Sequence, residues 1–419
     1  MRHSKRNGGL TRRDFLKGSA VAGLVAGLPT GWAGGAWADE GPEQKEVRLG
    51  IVAVSSCAPI VVAHEKGFFK KHGLTSSIAK ESSWATARDK LVSGENHGSH
   101  MKLAQPIGAT MGLLGSPKTP MLAPYTLSRN GSVFMVSKKL EGVLTADPKT
   151  WKKFADELKA KGEVLTIALP LPFGWHSLMW RHFLANAGIN ADKELKLITL
   201  PPAQMVQNLR VGTMHACAMV EPWGTRGVSE KVTSIVFYGH ELWPDHPTKA
   251  FSVMETFAEK NPRTVRAMLR AVHEAAAWCD DFGNRPELAK LLAVPSYLNS
   301  PEAAVRPALM GELDWGDGRK ATDKAHAISY SRGTTTEARE LKWFVSQFRR
   351  WGMCEGEPDY DGLAKRIARA ELYQGALKDL GVAAPAPNDA PIKLWDGTVF
   401  DHKKAAEFAK SAPINNLKG

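Results

Sequence analysis

Short apolar runs alternate with helical periodicity through the first part of the chain. This pattern predicts strands at 46–54, 76–81, 98–102, 121–126 and 132–137, and helices at 58–72, 84–93 and 105–114. Strands that alternate with helices are typical of a mostly parallel sheet that helices cover on both faces. The region therefore predicts a first α/β unit.

A second series of the same kind follows the sequence DPKTW. It predicts helices at 149–160, 175–188, 203–211 and 222–229, and strands at 164–169, 195–200, 215–220 and 233–238. From Lys249 onward the periodicity is mainly helical, with its longest segment at 261–284. Open α/β sheets bind ligands beyond the carboxyl ends of their strands. Two such units in succession therefore predict an α/β protein with two lobes and a ligand cleft between them.

The same pattern divides the chain into five parts. They are a signal peptide at 1–38, lobe one at 46–130, lobe two at 131–245, a second and mainly helical part of lobe one at 246–375, and a C-terminal tail at 376–419. We expect the chain to cross between the lobes near 125–135 and 238–250.

The N-terminus has the order of an export signal. The sequence TRRDFLK places Arg12 and Arg13 ahead of a stretch of small and apolar residues, and AWA ends that stretch at Ala38. A charged start, an apolar middle and an A-x-A site are typical of a secretory signal, and paired arginines indicate the twin-arginine route. The sequence therefore predicts a periplasmic protein that begins at Asp39 after cleavage.

Composition narrows the classes of protein and ligand. The chain has 419 residues, of which 43% are hydrophobic and 23% are charged, so it is an ordinary globular chain. Its formal net charge is +12 and stays positive without the signal peptide, which suits an anionic ligand. The four cysteines are scattered without the spacing of a zinc site, and their disulfide state stays open.

Several catalytic and nucleotide-binding motifs are missing from the sequence. It has no G-x-x-x-x-G-K-[ST], G-x-S-x-G, H-E-x-x-H or G-x-G-x-x-G pattern. The pair His97 and His100 has no acidic or cysteine neighbour, so it is a weak metal motif. We therefore expect a binding protein and not an enzyme, with no cofactor, no metal ion and no nucleic acid partner.

The stretch LPFGWHSLMW places His176 where a helical pattern begins, after a Pro/Gly turn. The first N–H groups of a helix are unpaired and its dipole favours negative charge, so such a turn is a natural anion site. A histidine that caps the helix or packs in the core is the alternative. Trp84 and Lys249 also fall near the predicted cleft, and indole, imidazole and ammonium groups together supply the donors that an oxyanion needs.

Six stretches of the sequence resemble one family, the nitrate- and bicarbonate-binding periplasmic proteins of ABC transporters, over about residues 46 to 375. They are APIVVAHEKGFFKKHGL, SSWATARDKLVSGE, GWHSLMWRHFLANAGI, PPAQMVQNLRVGTMHA, EPWGTRGV and WPDHPTKA. The resemblance implies a type II periplasmic binding protein, in which two lobes close over an inorganic anion that is passed to an inner-membrane permease and its ATPase.

The resemblance also implies the residues of the site. Trp84, His176 and Lys249 match the tryptophan, histidine and lysine that contact nitrate in the family. Asn130 is the nearest equivalent of the family's cleft glutamine, and Val220 stands where a glycine is usual. We expect a monomer that binds nitrate, with nitrite as a second ligand. Bicarbonate, cyanate and an organic sulfonate are the alternatives.

Overall fold

The computed structural model describes residues 41–332 and 334–418. The predicted signal peptide at 1–38 lies outside these residues. No helix in the described part of the chain combines the length and apolar character needed to cross a membrane.

Lobe one is built around the first five-stranded sheet. Its elements up to the first crossing are β1 (Glu46–Val52), α1 (Ala58–Glu65), α2 (Phe68–Lys71), β2 (Thr75–Glu81), α3 (Trp84–Val92), β3 (Gly98–Lys102), α4 (Ala104–Met111) and β4 (Met121–Arg129). The helix predicted at 58–72 is divided because Gly67 has a φ of 75°, which a regular helix does not allow.

Lobe two is built around the second five-stranded sheet. Its elements are β5 (Ser132–Ser137), α5 (Pro148–Ala160), β6 (Thr166–Leu169), α6 (Trp175–Ala185), α7 (Ala191–Glu194), β7 (Lys196–Thr199), α8 (Pro202–Val211), β8 (Ala216–Val220), α9 (Trp223–Ser229), β9 (Thr233–Tyr238) and α10 (Gly239–Leu242).

The remaining elements follow the return to lobe one. They are β10 (Pro247–Met254), α11 (Glu255–Lys260), α12 (Pro262–Asp280), α13 (Arg285–Ala293), α14 (Glu302–Met310), β11 (Glu312–Asp314), β12 (Lys320–Thr322), α15 (Ala338–Arg350), α16 (Tyr360–Ala368), α17 (Ala370–Asp379), β13 (Ile392–Lys393), β14 (Val399–Phe400) and α18 (Ala405–Ser411).

The two sheets share one topology. The strand order is β2-β1-β3-β10-β4 in lobe one and β7-β6-β8-β5-β9 in lobe two. In each sheet a single strand runs antiparallel to its neighbours, and it is the strand that follows a crossing between lobes. The predicted α/β class is confirmed, whereas the helical pattern expected from Lys249 is wrong for residues 249–254. Those residues lie in β10, which is buried among other strands and so lacks the alternation of a half-exposed strand.

The C-terminal segment (384–418) docks on lobe two and on α15. The Trp395 ring lies 6.1 Å from that of Phe183 on α6, and the Trp395 N–H donates to the carbonyl of Leu242. The Asn416 N–H donates to the carbonyl of Arg350, at the end of α15. These contacts complete the apolar core that lobe two shares with α15.

Candidate functional site

Lys249 lies in the middle of the lobe-one sheet. Strand β10 pairs it with Lys102 of β3 on one side and Ser128 of β4 on the other. The side chain is 0% exposed, and its Nζ has no hydrogen-bond partner in the described part of the chain. A buried ammonium is costly unless it is paired, so this position calls for a partner that carries negative charge.

A second lysine shares the same surroundings. Lys102, the last residue of β3, is 3% exposed, and its Nζ lies 4.8 Å from the centroid of the Trp84 indole. Lys249 Nζ lies 5.3 Å from that same centroid. The indole face attracts cations, whereas its buried Nε1–H has no partner among the described residues. Two cations and one unused donor therefore converge beside a single ring.

Burial destabilises the charged form of both lysines. Burial lowers the pKa of Lys102 to about 7. Burial and then the charge of Lys102 lower the pKa of Lys249 well below its usual value. The titratable side chains that influence the two lysines or are influenced by them are His100, His176, His246 and Cys57, none of which is a carboxylate. Within the described part of the chain, these groups thus supply donors and positive charge and no carboxylate counter-ion.

His176 reaches the same cluster from lobe two. It lies in the first turn of α6, and its Nδ1 is 3.4 Å from Lys102 Nζ across the two lobes. Its Nε2 lies 3.1 Å from the carbonyl oxygen of Met219 and donates to it in the neutral ring. Burial, followed by the charges of Lys102 and Lys249, lowers the pKa of His176 well below its usual value. The ring is therefore neutral at pH 7, with Nδ1 as an acceptor from lysine.

The lobes are in contact around this cleft cluster, which comprises Trp84, Lys102, His176 and Lys249. The Trp223 indole of lobe two donates to the carbonyl of Ala53 at 3.1 Å. The Ser55 N–H donates to the carbonyl of Glu221 at 2.9 Å. Apolar side chains from both lobes form one core at this interface, including Val52, Val54, Trp84, Met219, Val220 and Trp223. The four side chains of the cleft cluster are buried, and charges in a buried site interact strongly.

The two remaining predicted residues have different surroundings. Val220 ends β8, is 2% exposed and belongs to the same apolar core as Trp84. Asn130 lies at the crossing after β4 with a φ of 63°. Its amide donates to the carbonyls of Ala325 and Ala327 and to Asp245. Among the described residues, none of its hydrogen bonds reaches the cleft cluster, so its role as a ligand residue stays a prediction from the resemblance.

Sequence reasoning missed Lys102. The signal was its position as the last residue of the strand predicted at 98–102, because the carboxyl ends of strands line the ligand cleft in α/β sheets. A lysine at a strand end is also common on the surface, so position alone does not reveal that it is buried.

A buried acid of lobe two, Glu221, makes its side-chain hydrogen bond within its own lobe. Glu221 follows β8, and burial raises the pKa of its carboxyl group to about 7. Its Oε2 accepts the backbone N–H of Thr225 at 2.9 Å, in the first turns of α9. The described residues contain no group of three or more His, Cys, Asp or Glu side chains that could hold a metal ion. The arrangement therefore suits a small anion held by donors alone.

Two family models match the chain. One, described as the NMT1-like family, matches residues 40–293. The other, described as the TAT (twin-arginine translocation) pathway signal sequence, matches residues 9–29. The second match confirms the predicted twin-arginine signal.

Relatives and solved structures resemble the chain over most of its length. The nitrate/nitrite binding protein NrtA of Synechococcus elongatus is 34% identical, covering 93% of this chain and 90% of that protein. The bicarbonate transport ATP-binding protein CmpC of Synechocystis is 32% identical, covering 87% of this chain and 54% of that protein. The crystal structure of the periplasmic nitrate-binding protein NrtA from Synechocystis PCC 6803 has a TM-score of 0.85 and 28% identity, covering 89% of this chain and 100% of that chain.

Proposed function

This chain belongs to the NMT1-like family, and from that premise we propose that it is the periplasmic solute-binding component of an ABC importer. Its ligand is nitrate, with nitrite as a second ligand, and two lobes close over it. The twin-arginine signal carries the protein to the periplasm. There it delivers the anion to an inner-membrane permease and its ATPase. It acts as a binding protein and not as an enzyme, like the nitrate/nitrite binding relatives named above.

The observation that carries the proposal is the pair of buried lysines beside Trp84. Lys102 and Lys249 lie within 5.3 Å of the same ring centroid, and among the described residues no carboxylate contributes to the shifts of their pKa values. Dehydrating two ammonium groups without a counter-ion is unfavourable. A singly charged anion between them removes much of that cost, and it also accepts a hydrogen bond from the Trp84 indole.

The donors also favour nitrate over bicarbonate. Every oxygen of nitrate only accepts hydrogen bonds, whereas bicarbonate carries an O–H that needs an acceptor. Lys102, Lys249 and the Trp84 indole are donors, and the buried Glu221 carboxyl is bonded to α9. The acceptor within the cleft cluster, His176 Nδ1, already accepts from Lys102, so a ligand O–H is left unsatisfied and the ligand that carries it is disfavoured.

Closure brings the two halves of the site together. Lobe one supplies Trp84, Lys102 and Lys249, while lobe two supplies His176 and the apolar wall at Val220. The neutral His176 accepts from Lys102 and so fixes where that ammonium points. All of these groups therefore surround the ligand only when the lobes meet.

Titration calorimetry of the exported protein tests the proposal. Nitrate, nitrite, bicarbonate with and without calcium, cyanate and an alkanesulfonate are added in turn. We expect one nitrate per protein molecule, weaker or comparable binding of nitrite, and no heat from bicarbonate. Nitrate at 100 times its dissociation constant stabilises the fold by about 2.7 kcal/mol, visible as a rise in melting temperature. Tighter binding of bicarbonate than of nitrate would reject the proposed ligand, and no response to any of these anions would reject the function.

A further inference from the structure

We propose that Gln105 is the positioning residue that holds the lobe-one half of the anion site in shape. Its side chain is 2% exposed in the first turn of α4 and makes two hydrogen bonds. Its Nε2 donates to the carbonyl of Trp84 at 2.7 Å, and its Oε1 accepts the backbone N–H of Lys102 at 3.1 Å. One amide therefore joins the start of α3 to the end of β3. This inference rests on the proposed function, because Trp84 and Lys102 are the groups that it positions.

The two residues that Gln105 joins belong to different elements. Trp84 is the first residue of α3, whose N-cap Ser83 accepts the backbone N–H of Thr86 through its side chain and that of Ala87 through its carbonyl, both within the same helix. Lys102 is held by the ladder between β3 and β10. The sheet fixes Lys102 relative to Lys249, but it does not fix the Trp84 backbone relative to either lysine. The Gln105 amide makes that direct connection by hydrogen bonds.

The geometry of the connection suits its task. Both bonds go to backbone atoms, so the side chains of Trp84 and Lys102 stay available to a ligand. The Trp84 ring is also held edge-on by His100, at a centroid distance of 5.3 Å. His100 fixes the plane of the ring, whereas Gln105 fixes the backbone from which the ring projects. The distance from the indole to the Lys102 ammonium is thereby set on both sides.

A matched pair of substitutions separates positioning from stability. Gln105→Met removes both hydrogen bonds and keeps an unbranched side chain of similar length. Gln347→Met is the control, because Gln347 is also fully buried and accepts a hydrogen bond from the Trp351 indole, far along the chain on α15. Both variants should melt at a lower temperature than the parent, since each loses buried hydrogen bonds.

Nitrate titration then gives the decisive measurement. We expect Gln105→Met to weaken nitrate binding by about tenfold, a typical coupling between contacting residues, and Gln347→Met to change it by less than about twofold. Gln105→Asn is the second variant: it keeps an amide, but its side chain is one methylene too short to span both backbone atoms. It should weaken binding in the same direction.

A spectroscopic readout distinguishes positioning from a general loss of packing. The indole N–H resonance of Trp84, assigned as the one missing in Trp84→Phe, should shift in Gln105→Met without ligand and stay in place in Gln347→Met. Nitrate affinity of Gln105→Met within about twofold of the parent, or an unmoved Trp84 resonance, would overturn this inference. A parent that fails to bind nitrate would instead reject the proposed function.

Discussion

Helix α6 carries two buried histidines, each of which lies between a cationic side chain and an oxygen acceptor. At its start, Lys102 donates to His176, which donates to the carbonyl of Met219. Two turns on, Arg350 lies 2.9 Å from Nδ1 of His182, whose Nε2 lies 2.7 Å from a carboxylate oxygen of Asp396. In each case a cation donates to a neutral imidazole that donates onward to an oxygen.

The two histidines differ in the group that accepts their hydrogen bond. In the rear cluster, which comprises His182, Arg350 and Asp396, the acceptor is a carboxylate, so the positive charge of Arg350 is balanced within the protein. His176 instead donates to a backbone carbonyl, and Lys249 adds a second buried cation whose pKa no carboxylate raises. A buried cation that pairs with an acid stabilises the fold, whereas the buried lysines of the cleft cluster, which have no carboxylate partner among the described residues, fit the proposed site for an anion from solution.

The largest expected effect comes from giving the cleft cluster an acid of its own. Lys249→Glu places a carboxylate beside Lys102, as in the rear cluster, and should abolish nitrate binding because attraction is exchanged for repulsion in a site with little screening. The melting temperature of the variant should no longer rise when nitrate is added. Calorimetry that finds parental affinity in Lys249→Glu would place the anion elsewhere.

Removing one cleft charge without reversing it should have a smaller effect. Lys249→Gln keeps a donor, but a charge-assisted hydrogen bond is about twice as strong as a neutral one, so nitrate affinity should fall by about 1.5–3 kcal/mol. The matched control is Lys342→Gln on α15, because the buried Lys342 already pairs with Asp361. Equal losses of nitrate affinity in the two variants would contradict the distinction between paired and unpaired lysines.

In the rear cluster, we expect a substitution to lower stability and to leave nitrate affinity unchanged. Asp396→Asn removes the acid from His182 and Arg350 and should lower the free energy of unfolding by about 1.5 kcal/mol, with nitrate affinity unchanged. Urea unfolding and calorimetry on the same preparation measure both quantities. A loss of nitrate affinity without a loss of stability would show that the rear cluster serves the ligand.

The smallest expected effect is a dependence of stability on pH. The pKa of Lys102 is lowered to about 7 in the folded chain, so above pH 7 the unfolded chain holds one more proton. The free energy of unfolding without nitrate should therefore rise with pH, by about 1 kcal/mol between pH 7 and 8. Saturating nitrate should flatten this rise because it keeps Lys102 charged. Urea unfolding at both pH values, repeated on Lys102→Met, checks the assignment.

Acid should affect the two regions differently. Burial would raise the pKa of Asp396, but hydrogen bonds from His182, the Thr398 backbone N–H and the Asn186 amide hold it well below its usual range. Its stabilising contribution is therefore present above the pKa of an unfolded aspartate and is lost as the pH falls through the folded value. Burial raises the pKa of Glu221 to about 7, so this group makes the free energy of unfolding fall as the pH rises towards 7. Above that pH, Lys102 makes the free energy of unfolding rise.

The sequence predicted most of the α/β elements because their periodicity is local. Strands and helices between residues 46 and 238 follow the expected order, with differences of a few residues at their ends. Strand β10 could not be recognised in this way, because burial between β3 and β4 removes the alternation of polar and apolar positions. Its neighbours are brought together only by the return of the chain from lobe two.

The candidate site was predicted in part for a similar reason. Trp84, His176 and Lys249 fall in motifs that the resemblance covers, and the structure brings them together around Lys102. Lys102 stands at the end of a predicted strand, but its burial and partners, like those of Gln105, depend on the packing of α3, β3 and α4. A lysine or glutamine that is buried looks the same in a sequence as one that is exposed.

The docking of the C-terminal segment on lobe two has a consequence for the timing of synthesis. Trp395 and Asp396 pack against α6, yet they are made after the residues of both lobes. Domains fold as their residues emerge, so lobe two waits for this segment to cover the exposed side of its core. The export signal lies at the other end of the chain and is made first. A fully folded passenger therefore exists only after translation has passed residue 396, which suits an export route that carries folded chains.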